Sequence, residues 1–283
     1  MLATAIERKT LQRLDEWERQ DGILPRAVEQ YRRLVRLQAE ADGRIREPLP
    51  GLDKEAAVSR LSRGRPLLSF DDIFVDWSLF RRLLADVTGL ILSDFGVAIQ
   101  ISSELERLPF TTLVDMIRKW FNGDEFHLNA CSEGALVLGP VIRATIKPFL
   151  SRHRVSSLHL VDHDLWRRAS CPVCGGGPDF GFLDEKGARW LLCSRCDAEW
   201  LFQRMECPWC GINDPGKLAY FPDEMGLYRL YVCESCRRYL KVVDVRKAKE
   251  EVLLPLERLL TVDLDRQARL LGYTVASSPL AVK

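Results

Sequence analysis

Residues 171–241 read CPVCGGGPDFGFLDEKGARWLLCSRCDAEWLFQRMECPWCGINDPGKLAYFPDEMGLYRLYVCESCRRYLK, and this stretch decides the fold. It holds four Cys-x-x-Cys pairs: Cys171/Cys174, Cys193/Cys196, Cys207/Cys210 and Cys233/Cys236. Eighteen residues separate the first two pairs, ten the middle two and 22 the last two. The spacing groups them as two successive CxxC…CxxC units, each with room for a β-hairpin and each able to present four sulfurs to one tetrahedral ion. Crossed ligation, with the first pair sharing a metal with the third, also satisfies the spacing.

The residues between the pairs agree with this reading. Short aromatic and β-branched segments alternate with Gly, Pro, Asp and Asn turns, as expected for small ribbons. Pro172 and Pro208 stiffen the first and third loops, and Gly175 and Gly211 let the backbone turn so that N–H groups aim at thiolate sulfur. Ribbons this small bury too little surface to fold unaided, so the ions are expected to hold them in shape. Four thiolates suit zinc and a single iron alike, and the sequence does not separate the two.

Outward from this core, residues 1–168 read as a helical domain of six to eight helices. Leu11, Leu14 and Trp17 share a face over Thr4–Arg19, and Val28, Tyr31, Leu34, Val35 and Gln38 share one over Ala27–Ala39. Arg44 to Phe70 is a Pro-, Gly- and Arg-rich connector with a short helix after an Asp53 cap. Asp76 caps a helix carrying Trp77, Phe80, Leu84, Val87 and Ile91, and further helices are expected over Val97–Arg107 and Thr111–Phe121. Ser132 and Glu133 open another through Leu138, with Pro140 and Pro148 at a start or kink. The first ribbon is then placed at 169–203 and the second at 204–246. Residues 247–283 form a closing helix and tail, expected to pack back on the first domain. The fold class is thus α+β, mainly helical with two tandem ribbons.

Composition narrows the function. The 283 residues, 47% hydrophobic and 29% charged, belong to an ordinary globular protein of about two domains. Residues 1–20 are charged throughout and lack the apolar core of a secretory signal, and the apolar run 134–150 is broken by Arg143 and Lys147. A cytoplasmic chain with no membrane insertion is expected, where paired cysteines serve as metal ligands rather than disulfides. A nucleic-acid-binding zinc ribbon is the alternative, and charge opposes it. Cys171 to Asp244 carries nine Lys+Arg against eleven Asp+Glu, and two tetrathiolate sites would lower the ribbon charge to about −6. No Gly-rich phosphate loop, nucleophile elbow or HExxH pattern is present, and no catalytic residue is assigned.

The run from Cys171-Pro-Val-Cys174-Gly, through Trp190-Leu-Leu-Cys193-Ser-Arg-Cys196-Asp-Ala-Glu199-Trp200 and Arg204-Met-Glu-Cys207-Pro-Trp-Cys210, to Cys233-Glu-Ser-Cys236-Arg-Arg-Tyr239-Leu-Lys241, resembles the formate dehydrogenase accessory protein family, FdhE. All four pairs match in order, and the sharp resemblance covers Cys171 to Lys241. It implies a non-catalytic assembly factor with rubredoxin-like ribbons able to hold iron. It also implies binding to the catalytic subunit of a respiratory formate dehydrogenase, in support of its maturation before export. The eight paired cysteines take the ligand role in this resemblance. A homodimer is left open.

Other residues receive plainer readings. His159 and His163 lie four apart beside Asp162 and Asp164 and are read as a solvated turn or a hydrogen-bonded junction. Cys131, unpaired among Leu128, Ala130, Ala135 and Leu136, is read as a small buried hydrophobe. Trp77, Trp120 and Phe121 are read as core. Glu199, Trp200, Arg204 and Tyr239 sit beside the metal loops and are candidates for the partner-binding surface; the competing reading has Trp200 and Tyr239 filling the ribbon cores.

Overall fold

The structure is a computed structural model that describes residues 5–45, 52–93, 98–124 and 134–274. Cys131, Ser132 and Glu133 lie outside the described residues. The helices, in chain order, are α1 (Ala5–Asp21), α2 (Arg26–Arg44), α3 (Lys54–Ser62), α4 (Trp77–Leu92), α5 (Ala98–Arg107), α6 (Phe110–Asn122) and α7 (Gly134–Ser157). Six strands follow: β1 (Pro178–Leu183), β2 (Arg189–Cys193), β3 (Glu199–Phe202), β4 (Leu218–Pro222), β5 (Tyr228–Cys233) and β6 (Arg238–Asp244). Helices α8 (Leu254–Leu260) and α9 (Val262–Leu270) close the described chain. The chain divides into two compact units, residues 1–50 with 70–153 and residues 51–69 with 154–283. Among the described residues, no helix is long and apolar enough to cross a membrane.

The first unit is helical. The expected caps form: Asp53 Oδ1 accepts from Ala56 N at the start of α3, in the second unit, and Asp76 Oδ1 accepts from Leu79 N at 2.9 Å at the start of α4. Trp77 and Phe80 meet at 5.4 Å between ring centroids and Phe70 and Phe121 at 5.9 Å; Phe70, Phe80, Trp120 and Phe121 are buried in the core, and Trp77 packs against it half-buried. Pro140 and Pro148 both lie inside α7 rather than at its start. Pro148 has no N–H to give the carbonyl of Ala144, one turn back. Gln38 of α2 supplies the missing donor, its Nε2 lying 2.8 Å from that buried oxygen. Nearby, Arg152 of α7 reaches both the carboxylate and the carbonyl of the buried Asp42.

The second unit is built on one six-stranded sheet in the order β3-β2-β1-β6-β5-β4. Each ribbon is a three-stranded antiparallel meander, and the two join edge to edge through a parallel pairing of β1 with β6, Phe180 opposite Lys241 and Leu183 opposite Asp244. The ten-residue link between Cys196 and Cys207 carries β3, and the two ribbons share one continuous sheet.

The closing segment forms two short helices broken at Thr261, and they pack on the sheet of the second unit. The buried ammonium of Lys241 on β6 donates to Asp265 at 2.6 Å and to the carbonyl of Arg258 at 2.9 Å, while Tyr239 donates its hydroxyl to Asp265 at 2.7 Å. Ala268 packs with Leu230, Val232, Tyr239 and Tyr273. The leucine stripe indicates a helix that needs a partner; the partner is chosen by Glu257, Arg258 and Asp265, whose charges meet matching groups on the sheet.

Two candidate metal centres

Each cysteine pair lies on a tight turn, and the four turns are built alike. In the first, Cys171 N donates to Gly176 O at 2.8 Å and Gly175 N to Cys171 O at 2.9 Å; in the third, Cys207 N and Gly211 N make the equivalent bonds to Ile212 O and Cys207 O. The second and fourth turns close through Asp197 N to Cys193 O and Arg237 N to Cys233 O. The residue after the second cysteine is left-handed in every turn: Gly175 and Gly211 at φ 72°, Asp197 at 56° and Arg237 at 54°. Glycine was anticipated in two of these places. Asp197 and Arg237 hold the same conformation against the usual preference of side-chain-bearing residues, and each is anchored: Asp197 to Arg258, Arg237 to Glu234 and to the carbonyl of Leu271.

The turns bring the sulfurs together sequentially. Cys171, Cys174, Cys193 and Cys196 form one cluster and Cys207, Cys210, Cys233 and Cys236 the other, with all four Sγ atoms of each within 4.8 Å of one another. The cysteines are not joined as disulfides. The Sγ separations are 3.7 Å for Cys171–Cys196, 3.5 Å for Cys174–Cys193 and 3.7 Å for both Cys207–Cys236 and Cys210–Cys233. A tetrahedron with metal–sulfur bonds of about 2.3 Å has edges of about 3.8 Å. The donor set therefore fits a tetrathiolate ion at both places, and crossed ligation does not occur in this arrangement. Arg195 N and Trp209 N each lie 3.4 Å from the sulfur of Cys193 and Cys207, aimed to offset thiolate charge.

Protonation is tuned by the same enclosure. Burial raises the Cys171 and Cys196 thiols, and hydrogen bonds from the neighbouring sulfurs hold Cys174 low. In the second cluster burial pushes Cys207 above its ordinary range and Cys236 up to about 11, while Cys210, despite some burial, is lowered by the Ile212 N–H and the adjacent thiols. A cation entering either cluster must displace protons from thiols that burial otherwise keeps neutral.

The two clusters differ in access. All four cysteines of the first are buried, each at 1% exposure or less. The segment 66–68 covers them: Leu67 N and Leu68 N bond the carbonyls of Pro172 and Val173 at 2.8 and 2.9 Å, and Pro66 lies against Gly175. In the second cluster Cys207 and Cys233 are buried, Cys236 is half-buried and Cys210 is exposed.

A family model described as FdhE, central domain, matches residues 170–204, the first cluster and its ribbon. An FdhE homologue from Aquifex aeolicus is 27% identical over 229 residues, covering 78% of this chain and 76% of the relative. Protein FdhE from Escherichia coli O127:H6 is 26% identical over 236 residues, covering 80% and 72%. The crystal structure of the FdhE protein from Pseudomonas aeruginosa shares the fold, with a TM-score of 0.63 at 22% identity over 98% of this chain and 94% of that one. The motif resemblance of residues 171–241 and these matches agree in pointing to FdhE proteins.

The remaining candidate residues separate by position. Trp200 is fully buried, its Nε1 donating to Arg168 O at 2.8 Å, and Tyr239 is interior beneath α9. Glu199 is half-buried, its carboxyl raised by burial and opposed by Arg154. Arg204 is exposed. His159 is exposed on a 3-10 turn, and His163 lies edge-on to Trp190 at 4.9 Å, so the two histidines do not share a helix face. Sequence reasoning passed over His153, buried at the end of the first unit, whose Nε2 accepts from Phe74 N at 2.9 Å. It also passed over Arg189, a buried guanidinium pulled down by burial to about 10. Neither carries a spacing signal; both are recognised by what folds around them.

Proposed function

We propose that this chain is a non-catalytic accessory factor that binds the catalytic subunit of a respiratory formate dehydrogenase in the cytoplasm and supports its maturation before export. The observation that carries this reading is the pair of tetra-cysteine clusters, built on four like turns, in a chain similar to FdhE proteins. A bound ion, iron or zinc, supplies a cross-link among turns that are distant in sequence. The chain's own residues do the rest: the knuckle N–H groups offset thiolate charge, Arg258 fastens the closing helices to the first cluster, and the sheet presents a fixed surface to a partner. Several buried charges serve architecture: Asp244 takes Arg229 and Arg246, Lys241 takes Asp265, and Asp42 takes Arg152.

The test is complementation. In a strain lacking this gene, formate-dependent dye reduction by the membrane fraction should be lost, with the catalytic subunit still synthesised. The native gene should restore it, and a Cys207→Ser/Cys210→Ser variant should not. Full activity in the deletion strain would refute the reading. Metal analysis of anaerobically purified protein, with two ions expected per chain, decides between iron and zinc.

A further inference from the structure

One face of the β4-β5-β6 meander is covered by α8 and α9; the other holds a cavity of about 420 Å³ beside Cys207 and Cys233 of the more exposed cluster. The strand register puts Leu218, Tyr220, Tyr231 and Leu240 on this second face, with Tyr220 stacked on Tyr231 at 5.3 Å. The linker after β3 supplies the opposite wall through Met205 and Trp209. The floor and walls are thus apolar and aromatic, and Met205 and Tyr220 are each about half exposed.

Three guanidiniums line this cavity, those of Arg189, Arg204 and Arg238, against one carboxylate, Glu206. Elsewhere in this unit Arg167, Arg229, Arg237, Arg246 and Arg258 each hold an Asp or Glu partner. No such ion pair forms at the three cavity arginines among the described residues. Arg189 is 3% exposed and spends one nitrogen on main-chain oxygens of Gln203 and Glu206, leaving its Nε without a partner; the indole Nε1 of Trp209 is likewise buried and unpartnered. The surplus is one of donors. A thiolate cluster loaded with a divalent ion adds negative charge nearby, but metal-bound sulfur is a weak acceptor and does not match the flat fork of a guanidinium as a carboxylate does.

The rim of the cavity is also the edge of the sheet. β4 pairs with β5 alone, and its sequence Leu-Ala-Tyr-Phe-Pro has no charged side chain, with Tyr220 and Phe221 both exposed. Edge strands of soluble proteins are commonly guarded by charge, and this edge is guarded by none before Pro222. The opposite edge, β3, carries Glu199. From these features we infer that the cavity and the β4 edge together take an extended polypeptide segment that sets an acidic side chain on Arg204 and Arg238 and apolar side chains against Tyr220 and Met205. Main-chain pairing along β4 gives affinity and the arginines give selection, as in other strand-addition complexes. The inference rests on the proposed function for the owner of that segment, the formate dehydrogenase catalytic subunit.

The experiment places a photo-cross-linking amino acid at Tyr220 and, separately, at the exposed Ile23 of the other unit. Tagged protein is recovered from cells after illumination, and cross-linked peptides are sequenced. The expected result is one segment of the catalytic subunit, apolar with an acidic residue, joined to position 220 and not to position 23. In parallel, Arg204→Glu/Arg238→Glu should lower capture of the subunit about tenfold or more, as for lost charge-assisted hydrogen bonds, while retaining both metals. Capture by the native chain without a cross-link at 220, a cross-linked segment that is basic, or undiminished capture by the charge-reversed variant would each overturn the cavity assignment and leave the proposed function standing. Failure of the native chain to capture the subunit at all would remove both.

Discussion

Arg258 Nη1 lies 2.5 Å from Asp197 Oδ1, and this contact ties the closing helices to the first cysteine cluster. Asp197 directly follows Cys196 and is one of the two non-glycine residues held left-handed. The same guanidinium gives its Nε to Asp179 at 2.9 Å and its Nη2 to the carbonyl of Cys193 at 2.6 Å. Arg258→Ala should therefore lower stability by about 2 to 4 kcal/mol, since two partly buried carboxylates lose their partner. It should also speed removal of one of the two ions by a chelator. Arg258→Lys should recover less than half of the stability, because an ammonium cannot reproduce the fork. Thermal melts and a chromogenic chelator assay measure both effects.

Gln38 and Pro148 form a second testable pair. Gln38→Leu should cost about 1 to 3 kcal/mol, the penalty for leaving the buried Ala144 carbonyl without a donor. In a Pro148→Ala background the helix supplies its own N–H, so the same change should cost markedly less. Equal costs in the two backgrounds, measured by denaturant titration, would show that Gln38 acts through packing alone.

His153 sets a pH dependence for the helical unit. Burial lowers it from 6.5 to about 4, with nearby Asp72 opposing, because the neutral ring is the form that accepts from Phe74. The unfolded chain takes up a proton below about pH 6.5 and the folded one only near pH 4. Stability from this residue is thus complete above the higher value and falls as pH is lowered between the two, by about 2 kcal/mol at pH 5. A His153→Gln variant, which keeps an acceptor, should lose this component of the difference between melts at pH 7.5 and pH 5.

The knuckle glycines should not respond alike to alanine. At Gly211 an added Cβ meets nothing within 4 Å, so Gly211→Ala should cost only the left-handed strain, about 1 kcal/mol. At Gly175 the same strain is joined by contact with Pro66 Cγ at 3.3 Å, in the segment that covers the first cluster. Gly175→Ala should cost more and loosen the more deeply buried ion. Melting temperature and metal retention after dialysis distinguish the two.

Features carried by spacing or by adjacent residues were legible in the sequence: eight cysteines in two groups of four, Asp53 and Asp76 as caps, the glycines after Cys174 and Cys210. Contacts between distant segments were not. The left-handed Asp197 and Arg237 resemble ordinary polar residues until Arg258, 61 residues beyond Asp197, and Glu234 are seen beside them. The closing helices show an apolar stripe that asks for a partner without naming it, and their seating on the sheet rests on Lys241, Tyr239 and Asp265. Trp200 and Tyr239 flank the metal loops in sequence, yet the fold turns both inward, to Arg168 O and Asp265. Proximity along the chain to a metal loop does not set which way a side chain faces; strand register does.

The central claim is that the metal clusters shape a surface for one client. The most direct measurement recovers the tagged protein from cells grown without oxygen on formate and quantifies the formate dehydrogenase catalytic subunit recovered with it by mass spectrometry. Native protein is compared with Cys171→Ser/Cys174→Ser. The account predicts that the subunit accompanies the native chain and that the variant loses an ion and the subunit together. Equal recovery of the subunit by a variant shown to lack that ion would contradict it.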